Sequence, residues 1–164
     1  MSAQRPALEG YLTEVDGVPH LLGSRCTACG TVYFPRLDSF CRHPDCDSDS
    51  FEDAPLSRRG RLWSYTNAAY QPPPPYVPVS DPYEPFAIAA VELDAERMVV
   101  LGQCATGVDV ADLQVGMEME LVVEPLFSDE EGDALTWKWR PTASPLPQGE
   151  GGTVGAADGG ERVA

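Results

Sequence analysis

The chain has 164 residues, a mass of 17.7 kDa and a formal net charge of −15 at pH 7. This length provides one good hydrophobic core or two small modules. The acidic balance opposes binding to a nucleic-acid backbone, and the longest apolar runs, such as residues 86–91, have the length of strands rather than of membrane spans. Residues 1–6 are polar and unlike an export signal, which favours a cytoplasmic protein.

The first 60 residues are predicted to form a short N-terminal arm, residues 1–18, and a zinc ribbon, residues 19–60. The ribbon carries the pattern C-x2-C-x11-C-x4-C, formed by Cys26, Cys29, Cys41 and Cys46. This spacing is typical of a tetrahedral four-thiolate zinc site. Because such a site leaves no open position for water, we predict one structural zinc per chain. Two disulfides or free core thiols are the alternative.

The remaining histidines and cysteine give no catalytic arrangement. His43 lies inside the second cysteine pair and is an alternative zinc ligand, or a group that orients one. His20 is expected to be a surface or hydrogen-bonded residue, and Cys104 a small buried hydrophobe. Neither histidine has an adjacent nucleophile, so no catalytic residue is predicted. The reduced cysteines of a thiolate site again favour the cytoplasm.

Residues 61–140 show the alternation of β-strands. The alternating or apolar stretches are residues 61–70, 86–93, 97–104, 117–124 and 135–140. Because five strands are too few for two packed sheets, we predict an antiparallel barrel of the OB type. The fold is therefore predicted to be mainly β, with a rubredoxin-like zinc ribbon followed by a five-stranded OB-fold barrel.

Two segments interrupt this pattern. Residues 71–85 combine a run of four prolines with Tyr76 and Tyr83, which predicts a stiff, aromatic-bearing loop between the first two barrel strands. Residues 141–164 are rich in proline and glycine and have little apolar mass, so we predict a disordered tail.

The charges are unevenly placed along the chain. No basic residue occurs between Arg97 and Lys138, whereas Arg58, Arg59 and Arg61 form a cluster. A solvated acidic face is the simplest interpretation of the acidic segment. The arginine cluster is a candidate anion site, or a patch that faces solvent or a partner.

Several stretches together resemble the zinc-ribbon/OB-fold family of acyl-CoA-associated proteins, long catalogued as a domain of unknown function. They are residues 23–30, 33–36, 56–66 and 115–117, within a likeness that covers residues 8–140. Most members have a two-residue gap in the second cysteine pair, so the four-residue gap between Cys41 and Cys46 is a departure. A nearer likeness is to the domain that partners the actinobacterial steroid side-chain aldolase, which shares the Pro-rich aromatic loop and an ending like Trp137, Lys138 and Trp139.

The resemblance implies a non-catalytic accessory subunit. Free-standing members of the family bind a thiolase-fold enzyme, either an acyl-CoA thiolase or a retro-aldolase, and help to form its substrate channel. This implies a hetero-oligomer around a partner dimer, acyl-CoA shared with that partner, and a role in steroid or lipid catabolism. The alternative is an OB-fold module for single-stranded nucleic acid, with Trp63, Tyr65 and Tyr70 for stacking, which the acidic charge opposes.

Candidate sites follow from an acyl-CoA substrate. Arg58, Arg59 and Arg61 are candidates for CoA binding, because guanidinium groups pair with phosphates. Four loop residues are candidates for the channel wall or a partner contact, with a simple spacer as the alternative: Tyr76, Val77, Val79 and Tyr83. Several of four apolar residues outside the barrel pattern are expected to be buried against the partner: Leu8, Tyr11, Phe51 and Leu56.

Overall fold

The computed structural model describes residues 4–76 and 78–142, and its regular structure is nearly all strand. The ten strands of this part of the chain are β1 (Gln4–Pro6), β2 (Leu12–Val15), β3 (Val18–Cys26), β4 (Val32–Tyr33), β5 (Phe51–Pro55), β6 (Arg59–Ala68), β7 (Phe86–Leu93), β8 (Val99–Cys104), β9 (Glu118–Asp129) and β10 (Gly132–Pro141). A 3-10 turn, Val110–Asp112, lies between β8 and β9. No helix in the described ranges is long and apolar enough to cross a membrane. The predicted tail lies outside the described residues from residue 143 onward.

Strands β6 to β10 form a closed five-stranded barrel. β6 pairs antiparallel with both β7 and β9, β7 pairs with β8, and β9 pairs with β10. The barrel closes where β8 and β10 run parallel, with Gln103 opposite Lys138 and Cys104 opposite Trp139. The resulting order, β6-β7-β8-β10-β9, is that of an OB barrel, so the predicted fold class is confirmed.

Alternate residues of the barrel strands fill its interior. The largest are no more than 1% exposed: Leu62, Val91, Leu93, Met119, Leu121 and Trp139. Gly102 of β8 leaves room for two indoles of β10, because a Cβ at this position would lie 2.9 Å from Trp137 Nε1 and from Trp139 Cδ1. A small residue is therefore required where the two tryptophans cross β8.

β9 is longer than its sequence pattern indicates. The alternation predicts a strand over residues 117–124, whereas the strand extends to Asp129. Its pairing with β10 shifts register between Ala134 and Leu135, which leaves Leu126 without a partner residue. Beyond such a bulge, the residues that faced the barrel interior alternate in the opposite sense. The end of β9 therefore does not continue the alternation of apolar residues seen at its start.

β3 is the centre of the second sheet, because β2, β4 and β5 all pair antiparallel with it. β5 is absent from the sequence prediction, because it is short, three of its five residues are exposed, and Glu52 and Asp53 interrupt its apolar residues. The segment predicted as an N-terminal arm takes part in both sheets: β1 runs parallel to β10 of the barrel, and β2 pairs with β3 of the ribbon.

The ribbon and the barrel share one hydrophobic core. Leu21 of β3 and Leu56, which follows β5, are 0% and 1% exposed and pack among the barrel residues. Tyr11 stacks on Trp137 with 5.8 Å between ring centroids, and Phe34 meets both rings edge-on. The expectation that Leu56 faces a partner is therefore wrong, because it is buried inside the chain. Tyr11 is only partly buried, so its contact with a partner stays a prediction.

Two polar side chains hold the connection between ribbon and barrel. Arg58 Nε donates to the carbonyl of Pro19, and its Nη2 donates to the carbonyl of Leu121, each at 3.0 Å. His20 Nδ1 lies 2.8 Å from the carbonyl of Leu56, which agrees with a hydrogen-bonded histidine. Arg58 therefore acts as a cross-link between the two sheets.

Replacing Arg58 with methionine keeps most of the side-chain volume but removes both hydrogen bonds. We expect a loss of roughly 2–4 kcal/mol in the free energy of unfolding, because two partly buried carbonyls lose a charged donor. Arg59→Met is the matched control, since the Arg59 side chain is exposed; it should change stability by less than about 0.5 kcal/mol. Equal effects of the two substitutions in urea unfolding would contradict the cross-link.

Candidate metal centre and barrel groove

The four predicted zinc ligands converge at one end of the ribbon. Their sulfurs all lie within 4.8 Å of one another, with 3.7 Å between Cys26 and Cys46 and 3.6 Å between Cys29 and Cys41. A tetrahedral zinc with Zn–S distances of about 2.3 Å holds its sulfurs about 3.8 Å apart. A disulfide needs about 2.05 Å, and all four cysteines are free. The residues therefore fit one structural zinc, as predicted.

The first pair of cysteines is shaped by a tight turn at the end of β3. Gly30 has a φ of 76°, which favours glycine, and its N–H donates to the Cys26 carbonyl at 2.9 Å. The backbone N–H of Cys29 lowers the pKa of Cys26 to about 6, with a further contribution from the N–H of Ala28. Burial acts in the opposite direction but is outweighed. This local backbone favours the thiolate that binds metal.

The wider second gap is closed by His43 without making it a ligand. Its exposed ring accepts a hydrogen bond at Nδ1 from the Asp45 N–H at 3.3 Å, and its carbonyl accepts from the Cys46 N–H at 3.1 Å. The Tyr33 hydroxyl lies 3.2 Å from Cys41 Sγ. Within the described ranges, the metal-binding group consists of the four cysteines, and His43 is not part of it.

The three arginines proposed for CoA lie in different environments. Arg58 is engaged with backbone carbonyls of the ribbon and the barrel. Arg61 donates to the Gly116 carbonyl at 3.2 Å and lies 3.8 Å from a carboxylate oxygen of Glu118. Arg59 is exposed on the barrel exterior and makes no side-chain hydrogen bond or ion pair within the described residues. Arg59 is therefore the most available cation of the cluster.

The Pro-rich loop is anchored by one of its tyrosines. Tyr83 donates its hydroxyl to the Ala68 carbonyl at 2.7 Å and contacts Tyr76 and Phe86 edge-on. Tyr76 is half-buried, and Val79 is 58% exposed. The fourth loop candidate, Val77, lies outside the described residues.

Two adjoining depressions lie between this loop and the barrel. One has a volume of about 550 Å³ and is mostly apolar. It is lined by Tyr76, Pro78, Val79, Gln103, Leu126, Phe127, Ser128 and Asp129. The other has about 480 Å³ and extends to Cys104, Thr106 and Lys138. Because Val79, Gln103 and Leu126 line both, the two depressions form one groove, which we call the barrel groove.

A partly buried ion pair at the groove was not found by sequence reasoning. Lys138 Nζ lies 3.3 Å from Glu124 Oε2, which also accepts bonds from the N–H and the hydroxyl of Thr106, both at 2.9 Å. Burial of Glu124 opposes its ionisation, but these bonds outweigh it and hold the pKa of Glu124 below its ordinary value. The signal in the sequence was the only lysine of the chain, placed between two tryptophans.

Cys104, beside this pair, is buried as predicted. It is 6% exposed, and burial raises the pKa of its thiol to about 11. The thiol therefore stays protonated at neutral pH and behaves as a small hydrophobe.

Replacing Cys29 with serine should reduce the zinc content well below one per chain and unfold the ribbon, because the ribbon's few apolar residues cannot hold it without metal. Metal analysis and NMR of the purified variant provide the measurement. His43→Ala is the matched control from the second knuckle and should keep one zinc. Loss of zinc in His43→Ala, or a folded ribbon in metal-free Cys29→Ser, would contradict this site.

Comparisons with known proteins agree with these two modules. The family model of the ChsH2 rubredoxin-like zinc ribbon domain matches residues 16–52, and that of the ChsH2 C-terminal OB-fold domain matches residues 53–124. A DUF35 domain-containing scaffold protein of Methanocaldococcus jannaschii is 30% identical over 73% of this chain and 79% of its own length. The benzoylsuccinyl-CoA thiolase subunit BbsA of Geobacter metallireducens is 29% identical over 77% and 78%, respectively.

A solved structure is similar to this chain in fold. A chain of the Ltp2-ChsH2(DUF35) aldolase is 26% identical to this one, with a TM-score of 0.55 over 74% of this chain and 84% of that chain. The two family models meet within β5, next to the junction between ribbon and barrel. The chain therefore belongs to the ChsH2-type DUF35 family, in which a zinc ribbon precedes an OB-fold domain.

Proposed function

We propose that this chain is a non-catalytic accessory subunit of a thiolase-fold enzyme, either an acyl-CoA thiolase or a retro-aldolase. It stabilises the enzyme, as part of a hetero-oligomer around a partner dimer, and helps to form the acyl-CoA channel. The observation that supports this most is similarity over about three quarters of the chain to a scaffold protein, a thiolase subunit and an aldolase chain. The proposed setting is steroid or lipid catabolism in the cytoplasm, where zinc-binding thiols stay reduced.

The tasks of the reactive side chains support a non-catalytic role. Four cysteines are used by the zinc site, and the fifth, Cys104, is a buried thiol with a raised pKa. His20 is held against the Leu56 carbonyl, and His43 closes the second zinc knuckle. The five cysteines and two histidines of the chain therefore have structural roles.

The outer face of β7 and β8 is a candidate surface for the partner. Its residues are in register, with Ala90 opposite Leu101 and Glu92 opposite Val99. Leu101 is 63% exposed and Val99 is 39% exposed, although the outer face of a barrel in water is ordinarily polar. We propose that the thiolase-fold partner covers this row, in which the exposed Leu101 and Val99 lie beside the charged Glu92.

The test is co-expression with a thiolase-fold enzyme, followed by size-exclusion chromatography with light scattering. We expect a hetero-oligomer, and no acyl-CoA turnover by the isolated chain. Leu101→Glu should weaken assembly roughly tenfold, because it places a charge in an apolar contact. Val115→Glu is the control, since Val115 is 60% exposed outside this row.

Enzymatic turnover by the isolated chain would refute the accessory role. Equal assembly of the two variants would refute the proposed surface. The accessory role would then require a different contact surface.

We further propose that Arg59 contacts the phosphates of CoA, with Arg61 beside it and Arg58 as the cross-link behind both. Tyr76, Val79 and Tyr83 are proposed to border the acyl end. The exposed side chain of Arg59, for which the described residues offer no hydrogen bond or ion pair, supports the first part. The anchored Tyr83 supports the second, because it gives the loop a fixed wall with little ordering cost.

The kinetic test uses the assembled complex. Arg59→Ala should raise KM for full CoA thioesters roughly three- to tenfold, as expected for loss of one exposed charge-assisted contact, and leave a truncated pantetheine thioester unchanged. Tyr76→Ala should change the preference among acyl groups. Arg36→Ala, at an exposed arginine of the zinc ribbon away from the proposed surfaces, is the control. Unchanged kinetic constants in both variants would show that these residues are scaffold.

A further inference from the structure

Lys138 is the only lysine of the chain, and its side chain is 10% exposed. It lies on β10 and lines the smaller part of the barrel groove. Burying an ammonium group is costly unless its hydrogen-bonding capacity is used. The contacts of this group therefore indicate what the groove can bind.

The ion pair uses only part of that capacity. An ammonium group has three donors, and Glu124 Oε2, at 3.3 Å, is the one acceptor found for it within the described part of the chain. The same oxygen already accepts two hydrogen bonds from Thr106. Lys138 thus retains donors for a further acceptor in the groove.

A second polar group lies beside it. Gln103 is paired in register with Lys138 across the parallel β8–β10 contact, and it lines both parts of the groove. Its side-chain amide makes no hydrogen bond within the described residues. The junction of the two depressions therefore carries two donors, an ammonium and an amide.

The surrounding charges favour a neutral acceptor. Glu84 and Asp109 line the same depression, and Lys138 is the one cation that lines it among the residues that the structure describes. Glu124 already offsets that cation. A carboxylate or phosphate would meet more negative than positive charge. A carbonyl oxygen accepts hydrogen bonds without that repulsion.

The larger depression fits the remainder of such a ligand. Its walls include Tyr76 and Val79 from the loop and Leu126 and Phe127 from β9. The Arg5 guanidinium lies 5.9 Å from the centroid of the Phe127 ring, which helps to hold this wall in place. Apolar walls with a few convergent polar groups are typical of small-molecule sites.

We infer that the barrel groove binds a neutral, elongated ligand, with an apolar ring or chain between Tyr76 and Phe127 and a carbonyl oxygen at Lys138 and Gln103. The inference deepens the proposed function, because an acyl group of the partner's substrate has this chemistry. It rests on the proposed function only for the source of the ligand, since binding itself is a property of the isolated chain.

The experiment titrates the isolated full-length chain with three probes of similar size, followed by ¹H–¹⁵N NMR. They are butyrophenone, butylbenzene and 4-phenylbutyrate. The ketone should shift the amides of Val79, Gln103 and Phe127 and bind roughly tenfold more tightly than the hydrocarbon, because it gains a hydrogen bond from a charged donor. The carboxylate should bind more weakly than the ketone.

Two variants test the named donors. Lys138→Met and Gln103→Leu should each reduce the affinity for the ketone towards that of butylbenzene while leaving the affinity for butylbenzene unchanged. Gln114→Leu is the control, since it makes the same chemical change at an exposed position away from the groove. If Lys138→Met does not fold, Gln103→Leu still decides the question.

The inference is overturned if ketone and hydrocarbon bind equally, if neither shifts the groove amides, if the carboxylate binds best, or if Gln103→Leu keeps the preference for the ketone. Failure of the groove leaves co-assembly with a thiolase-fold enzyme unaffected. Failure of co-assembly leaves probe binding unaffected, so the two proposals fail separately.

Discussion

The strand Val18–Cys26 connects the zinc site with the barrel core, and the rest of the structure depends on this connection. Its last residue, Cys26, is a zinc ligand, and Leu21 near its middle is fully buried among barrel residues. A ribbon of this size cannot bury enough apolar surface by itself, so the metal supplies much of its folding energy. Because β2, β4 and β5 all pair with this strand, zinc fixes the ribbon sheet against the barrel.

The distribution of charge on the barrel favours binding to a protein over binding to a nucleic acid. Trp63 is 62% exposed on β6, as a base-stacking residue would be. The neighbouring Arg59 and Arg61, however, lie opposite Glu120 and Glu118 of β9. Carboxylates interleaved with the only arginine cluster oppose a continuous phosphate backbone. A single bound anion or an apolar partner surface is compatible with this arrangement.

Features that depend on residues close together in sequence were predicted from the sequence. The cysteine spacing indicated the zinc site, and the apolar run at residues 86–93 indicated β7 with its observed ends. β5 was missed because this short, mostly exposed segment forms a strand only by pairing with β3. The burial of Leu56 was not predicted because it depends on Leu21, which is distant in sequence. The role of Lys138 was overlooked for a related reason, because it depends on Glu124.

Through β3, zinc is expected to stabilise the barrel as well as the ribbon. Native-state hydrogen exchange of the zinc-bound and zinc-stripped protein tests it most directly, with the amides of Leu22 and Leu121 as reporters. The Leu22 N–H donates to the Tyr11 carbonyl, and the Leu121 N–H donates to the Arg58 carbonyl at the ribbon–barrel junction. We expect removal of zinc to lower the protection of both amides together. Loss of protection at Leu22 with unchanged protection at Leu121 would show two independent modules and contradict it.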